Sequence, residues 1–223
     1  MNRLHFFGDS WTIEDDFEKL IENPIGYPSM VGKLLNRPVI NHAISGSSQL
    51  KMVDIAIKSN LGQEDHAVFS MSAPSRRFYF DYKGHIVDCP VDENKGAVND
   101  YQDSWLSAIT CFMLIKICEE RKCTPWFVNI FNVSYQSEWL HPLWHAIPPN
   151  VWLLPPDRCM VQDVLDAEWF SQFSIFRNSD FNDWLSTNNE QVIKYIRPCY
   201  NHPNLLGRKK IAEFIADKLV PHL

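Results

Sequence analysis

With 223 residues, 45% of them hydrophobic and 22% charged, the chain is long enough for one domain with a sizeable core and too apolar to be disordered as a whole. A net charge of −6, with no basic run longer than Arg208-Lys209-Lys210, excludes a nucleic-acid phosphate backbone as the expected partner. No run of about eighteen apolar residues is present to span a membrane, and no cationic flank with an apolar core marks a signal peptide, so a cytoplasmic protein without a membrane span is expected.

The first element is a strand over Arg3–Phe7, emptying into Gly8-Asp9-Ser10, a tight turn with a hydroxyl at its tip. Short helical pieces follow at Asp15–Ile21 and Tyr27–Leu35, with Pro28 tolerated in a first turn. Pro38–Asn41 reads as the second strand and Gly46-Ser47-Ser48 as a turn. The helix beyond it sets Leu50, Val53 and Ile57 on one face and closes at Leu61-Gly62. His66–Met71 is the third strand.

Residues 76–103 break the pattern: the aromatic alternation Phe78-Tyr79-Phe80-Asp81-Tyr82, then Lys83-Gly84, then His85-Ile86-Val87 predicts an inserted β-hairpin. Trp105, Ala108, Ile109, Phe112 and Ile115 predict an amphipathic helix ended by Thr124-Pro125. Trp126–Phe131 is the fourth strand and Val151–Leu154 the fifth, with a proline-rich loop and short helix between them over 134–150. Helical stretches are expected over Val161–Phe170 and Trp184–Ile196. The last helix covers 204–219, with Ile211, Ile215 and Leu219 on one face and Pro203 in its first turn. Strands alternating with helices predict one α/β domain over 1–223, its parallel sheet covered on both faces.

The six cysteines, at 89, 111, 118, 123, 159 and 199, include no CxxC pair and read as reduced thiols. Cys111 and Cys118, seven apart, suit one buried helix face. The sequon Asn132-Val133-Ser134 is read as chance in a cytosolic chain. The pair His141/His145 lacks an obvious third ligand, so no metal is expected there. Phe78, Tyr79, Phe80 and Tyr82, with Trp139, Trp144 and Trp152, are read first as packing and second as a binding face.

A serine hydroxyl becomes a nucleophile when a neighbouring base takes its proton, and the reaction then needs donors for the oxyanion. Ser10 at a strand end supplies both a hydroxyl and its own N–H. Gly8 lets the turn tighten, Asp9 can fix it through its own backbone, and Gly46 can bring a second N–H to the same edge. His202, opening the last helical pattern, is the candidate general base, a role for which histidine is the commonest residue.

Phe7-Gly8-Asp9-Ser10-Trp11-Thr12 resembles the first block of the SGNH (GDSL-type) hydrolases. Asn41-His42-Ala43-Ile44-Ser45-Gly46-Ser47-Ser48 is similar to their second block, and Asn201-His202-Pro203-Asn204-Leu205-Leu206-Gly207 to their last, all in family order. The resemblance implies a three-layer α/β/α sandwich around a five-stranded parallel, flavodoxin-like sheet. It also implies Ser10 as nucleophile and oxyanion donor, Gly46 as second donor, His202 as base, and no metal or organic cofactor. The implied activity is hydrolysis of an ester, esterase- or lipase-like, or removal of an acetyl group from a carbohydrate. A non-catalytic module on the same fold and an O-acyltransferase are the alternatives.

Two positions depart from the family. Its third block carries Gly-x-Asn-Asp, where this chain has Met71-Ser72-Ala73-Pro74-Ser75-Arg76; Ser72, Ser75 or Asn129 are the candidates for the third donor. Cys199 stands where the family has an aspartate three residues before the histidine. A missing donor costs about 10²–10³ in turnover, and neutralising the orienting aspartate of a serine-protease triad costs ~10⁴.

Overall fold

Short apolar runs and longer amphipathic ones alternate along the chain as β1 (Leu4–Phe7), α1 (Tyr27–Leu35), β2 (Val39–Asn41), α2 (Gln49–Lys58) and β3 (His66–Met71). Then come β4 (Arg77–Phe80), β5 (Ile86–Cys89), α3 (Asp100–Arg121), β6 (Thr124–Asn129), β7 (Ile196–Arg197), β8 (His202–Pro203) and α4 (Leu205–Leu219). A computed structural model describes residues 2–13, 26–71, 77–80, 86–89, 100–130, 142–154, 158–165, 196–197, 202–203 and 205–223. Among them no helix is long and apolar enough to cross a membrane.

Four strands form one parallel sheet in the order β2-β1-β3-β6. The expected fifth strand shrinks to a single parallel bridge between Phe127 and Trp152, supported by Leu153 N–H donating to Phe127 O at 2.9 Å. The inserted hairpin is present, β4 pairing antiparallel with β5, while its expected Lys83-Gly84 turn lies outside the described residues. So do the expected helices at Asp15–Ile21 and over most of Trp184–Ile196.

Alternation along β1 sends Leu4 and Phe6 to one face, with α1 and α4, and Phe7 to the other, with α2 and α3. The register places Phe7 opposite Phe69 and Phe69 opposite Phe127, and their rings stack at 4.9 and 5.3 Å. His42 extends this ladder at one end, 4.6 Å from Phe7, and Trp152 at the other, 5.4 Å from Phe127. Stacked rings of this kind add about 0.5–1.5 kcal/mol per pair beyond their burial. The ladder therefore makes a continuous apolar floor across the sheet, just short of its carboxyl edge.

α2 and α3 occupy the expected segments but rotate their buried faces, so that Val53, Ala108 and Ile115 are buried as expected while Ile57, Trp105 and Phe112 are not. In α3 the buried residues include Ser104, Ser107, Ala108, Cys111, Leu114, Ile115 and Cys118, whereas Trp105 and Phe112 are 40% and 42% exposed. Small side chains let the helix axis approach its neighbours, and Ser104 Oγ accepts a hydrogen bond from Trp144 Nε1 at 2.9 Å. In α2 the buried set is Gln49, Met52, Val53 and Ala56, and Ile57 faces solvent.

Three boundaries also move. α2 stops at Lys58 with Ser59 as its cap, so Leu61-Gly62 does not close it; Gly62 N–H instead donates to Asp65 Oδ2 at 2.9 Å. α3 ends at Arg121 before Lys122 in the left-handed region (φ 57°), and Thr124-Pro125 opens β6 rather than stopping a helix. Pro203 belongs to β8, paired antiparallel with β7, and α4 starts at Leu205. Its buried face, Ile211, Ala212, Ile215, Ala216 and Leu219, is the expected one. Met160–Val164 forms a wide π-type helical turn at the start of the stretch expected to be helical.

Candidate active site

β1 lies between β2 and β3, so the chain leaves it toward one side of the sheet and then returns to the other. Such a switch point opens a crevice at the strand's carboxyl end, and this is where open α/β sheets bind ligands. Ser10 sits there. Asp9 O accepts from Thr12 N–H at 2.9 Å, closing a four-residue turn with Ser10 and Trp11 at its centre. Asp9 is buried, and its Oδ1 accepts from Trp11 N–H at 3.0 Å, the self-pairing expected of an aspartate in a turn. Gly8 has no alternative: a Cβ there would lie 2.2 Å from Thr12 Oγ1 and 3.1 Å from Ser70 Cβ.

The second candidate loop is joined to the first by backbone and side chain. His42 N–H donates to Phe6 O at 2.7 Å and Ile44 N–H to Gly8 O at 3.1 Å, continuing the β1–β2 pairing beyond the strands. Asn41 Nδ2 donates to Thr12 O at 2.8 Å while Asn41 Oδ1 accepts from Ala43 N–H at 3.1 Å. One side chain thus clamps the Ser10 turn to the start of the Gly46 loop. Gly46 closes that loop at φ +76°, exposed, with open space where a Cβ would be, so its need for glycine is conformational. Ser48 then caps α2, accepting from Lys51 N–H at 3.2 Å. Among the described residues, neither the Ser10 hydroxyl nor the N–H groups of Ser10 and Gly46 are engaged by another group of the chain.

The remaining candidates separate. Asn129 is buried at the carboxyl end of β6, two strands from β1, about 10 Å at ordinary strand spacing. Ser72, Ser75 and Cys199 lie outside the described residues, and for His202 the backbone in β8 is described but the side chain is not. His145 is exposed in a 3-10 turn, and its expected companion His141 lies outside the description. Among the described residues no group of three histidine, cysteine or carboxylate side chains is arranged to hold a metal ion. Cys111, Cys118, Cys123 and Cys159 are buried and outside any disulfide.

Sequence reasoning did not find a connected polar cluster at the foot of β1 and β3. Asp65, ahead of β3, takes hydrogen bonds from Arg3 Nη2 at 2.6 Å, Arg3 N–H at 3.0 Å and Gly62 N–H at 2.9 Å. Its Oδ2 also lies 3.2 Å from His5 Nε2, and His5 Nδ1 lies 3.0 Å from His42 Nε2. The carboxylate requires Nε2–H on His5, so His5 Nδ1 is the acceptor and His42 Nε2–H the donor. Burial alone would raise Asp65, but the Arg3 and Gly62 donors more than offset this and hold it at about 2. Burial lowers His5 despite that carboxylate, and burial with His5 as neighbour takes His42 to about 4. Both imidazoles are therefore neutral at pH 7. The only sequence signal was a histidine inside an otherwise apolar strand.

No family model and no curated protein matches the chain. Solved structures do. A protein assigned to the G-D-S-L lipolytic family from Desulfitobacterium hafniense DCB-2 superposes with a TM-score of 0.58 at 11% identity, covering 98% of this chain and 100% of that one. The fold is that of the SGNH (GDSL-type) hydrolases. The psychrotrophic esterase EstA from Pseudoalteromonas sp., solved inhibited by monoethylphosphonate, matches at TM-score 0.51 and 12% identity over 99% of this chain and 98% of its own. A Bacillus subtilis protein matches at TM-score 0.56 and 12% identity over 99% of this chain, which spans 57% of that longer one. At such identities the likeness shows the SGNH fold alone.

Proposed function

We propose that the chain is a serine hydrolase that cleaves an ester through Ser10. The carrying observation is the anchored Asp9–Thr12 turn at the β1 switch point. It holds Ser10 half-buried, its hydroxyl and N–H unengaged by the described residues, beside a Gly46 loop zipped to the same strand. In this reading Ser10 Oγ attacks the ester carbonyl carbon as His202 takes its proton. The tetrahedral oxyanion forms against the N–H groups of Ser10 and Gly46, and the proton returns from His202 to the departing alkoxide. Water then repeats the sequence on the acyl-enzyme, releasing the acid and restoring Ser10.

His202 belongs to β8, which precedes α4 in the chain. With Cys199 in place of the carboxylate, a Ser–His dyad is the minimal machinery, slower than a full triad by the cost given above. Asp9 supports the turn rather than the chemistry. Ester substrates in the running are short acyl esters and O-acetylated carbohydrates.

The test is a fluorophosphonate probe together with a short-chain nitrophenyl ester and acetylated xylan. Wild type is expected to label and hydrolyse, Ser10→Ala to do neither, and His202→Ala to lose at least about 10³ in turnover. Equal labelling and hydrolysis by wild type and Ser10→Ala would refute the assignment. Ligand binding without turnover would favour the non-catalytic module, and acyl transfer to added alcohols the acyltransferase.

A further inference from the structure

The turn that carries Ser10 is held from beneath by a group outside every motif. Tyr27, in the first turn of α1, is fully buried, with its ring edge-on to Phe6 at 6.1 Å. Its hydroxyl donates to Thr12 Oγ1 at 2.9 Å. Having a single proton, it must accept from Ser70 Oγ, 2.6 Å away. Ser70 and Thr12 are themselves fully buried, so the three hydroxyls form a directed chain, Ser70 to Tyr27 to Thr12, out of reach of water. In such a setting a lost partner cannot be replaced by solvent.

Thr12 is consequently tied at three atoms. Its N–H goes to Asp9 O, its carbonyl accepts from Asn41 Nδ2, and its hydroxyl accepts from Tyr27. Ser10 stands between the two ends of this turn. Any freedom gained by Thr12 is passed to Ser10 through two residues of backbone.

We propose that Tyr27 is a positioning residue for Ser10, acting through the Thr12 hydroxyl. The proposal rests on the reading of Ser10 as nucleophile. Misplacing a reacting group by about 1 Å can cost 10²-fold in rate. Tyr27→Phe preserves the ring packing and deletes only the hydroxyl. It is expected to lower kcat and the rate of fluorophosphonate labelling roughly 10- to 100-fold, with KM within about twofold of wild type. Thr12→Ser should retain most of the rate and Thr12→Val should lose as much as Tyr27→Phe. The double variant Tyr27→Phe/Thr12→Val should be no slower than Thr12→Val alone, because both remove one link.

A purely structural tyrosine would lower Tm but leave the rates of the folded protein alone. Labelling of Tyr27→Phe within twofold of wild type, or additive losses in the double variant, would overturn the proposal. Should Tyr27→Phe not fold, the contrast between Thr12→Ser and Thr12→Val decides: equal rates overturn it. Ser10→Ala run in parallel separates the two claims. If that variant still labels, the nucleophile reading falls and this one with it; if it does not, while Tyr27→Phe is unchanged, only the positioning role falls.

Discussion

Acid should destabilise the fold through His42, and the size of the effect can be worked from the Arg3–Asp65–His5–His42 chain. His42 is displaced from 6.5 to about 4 by burial and by His5. A folded-state value below the unfolded one means that the unfolded chain takes up the proton first. Stability is then complete above pH 6.5 and falls as the pH drops from 6.5 toward 4. At about 1.4 kcal/mol for each tenfold change in proton affinity, the displacement corresponds to about 3 kcal/mol. Because His42 is half-buried, solvent screening reduces this to about 1–2 kcal/mol. His5 and His66 act in the same direction, so the variant that isolates His42 is His42→Gln. Its amide can still donate to His5 Nδ1 and carries no titrating proton. Asp65, held at about 2, loses its contribution only below pH 3.8, outside the window. Urea unfolding at pH 7.5 and 4.5 should show wild type losing about 1–2 kcal/mol more than His42→Gln between the two conditions. Parallel losses in both proteins would refute the tautomer chain and the neutral His42 it requires.

Gly8→Ala should cost about 1–3 kcal/mol by urea unfolding, since the added Cβ would sit 2.2 Å from Thr12 Oγ1 and the turn must open to admit it; fluorophosphonate labelling should fall with it. Asp65→Asn, which leaves Arg3 and His5 facing an amide, should lower the urea midpoint and flatten the stability profile below pH 3.8. Ser48→Ala removes the side-chain cap of α2 and should cost about 1 kcal/mol by urea unfolding.

Much of the architecture was legible because punctuation and period agree. Tyr27–Leu35 starts with a proline tolerated in its first turn and stops at Asn36 in the left-handed region, and His66–Met71 is a mostly apolar run buried on both faces. The face of α3 was legible only in part: Ala108, Ile115 and the Cys111/Cys118 pair are buried as expected. Trp105 and Phe112 are the most hydrophobic candidates by size, yet the helix packs through Ser104, Ala108 and Cys111, because close approach rewards small side chains over large ones. Val151–Leu154 has a strand's composition but contributes a single bridge, since only Trp152 and Leu153 reach Phe127.

In the site, Ser10 and Gly46 could be read from local motifs, and the fold brings their two loops together. The groups that hold them could not. Asn41 and Tyr27 reach Thr12 across 29 and 15 residues, and His5 meets His42 and Asp65 across 37 and 60. Each bond is made by a side chain with many alternative partners in an unfolded chain, so only the assembled sheet selects among them.

The central claim is that Ser10 carries the reacting oxygen. Peptide mapping by mass spectrometry after reaction with a fluorophosphonate tests it most directly. A single phosphonyl adduct on Ser10, abolished by prior heat unfolding and absent in Ser10→Ala, is the predicted result. An adduct on another residue, or none under conditions that label a control serine esterase to completion, would contradict it.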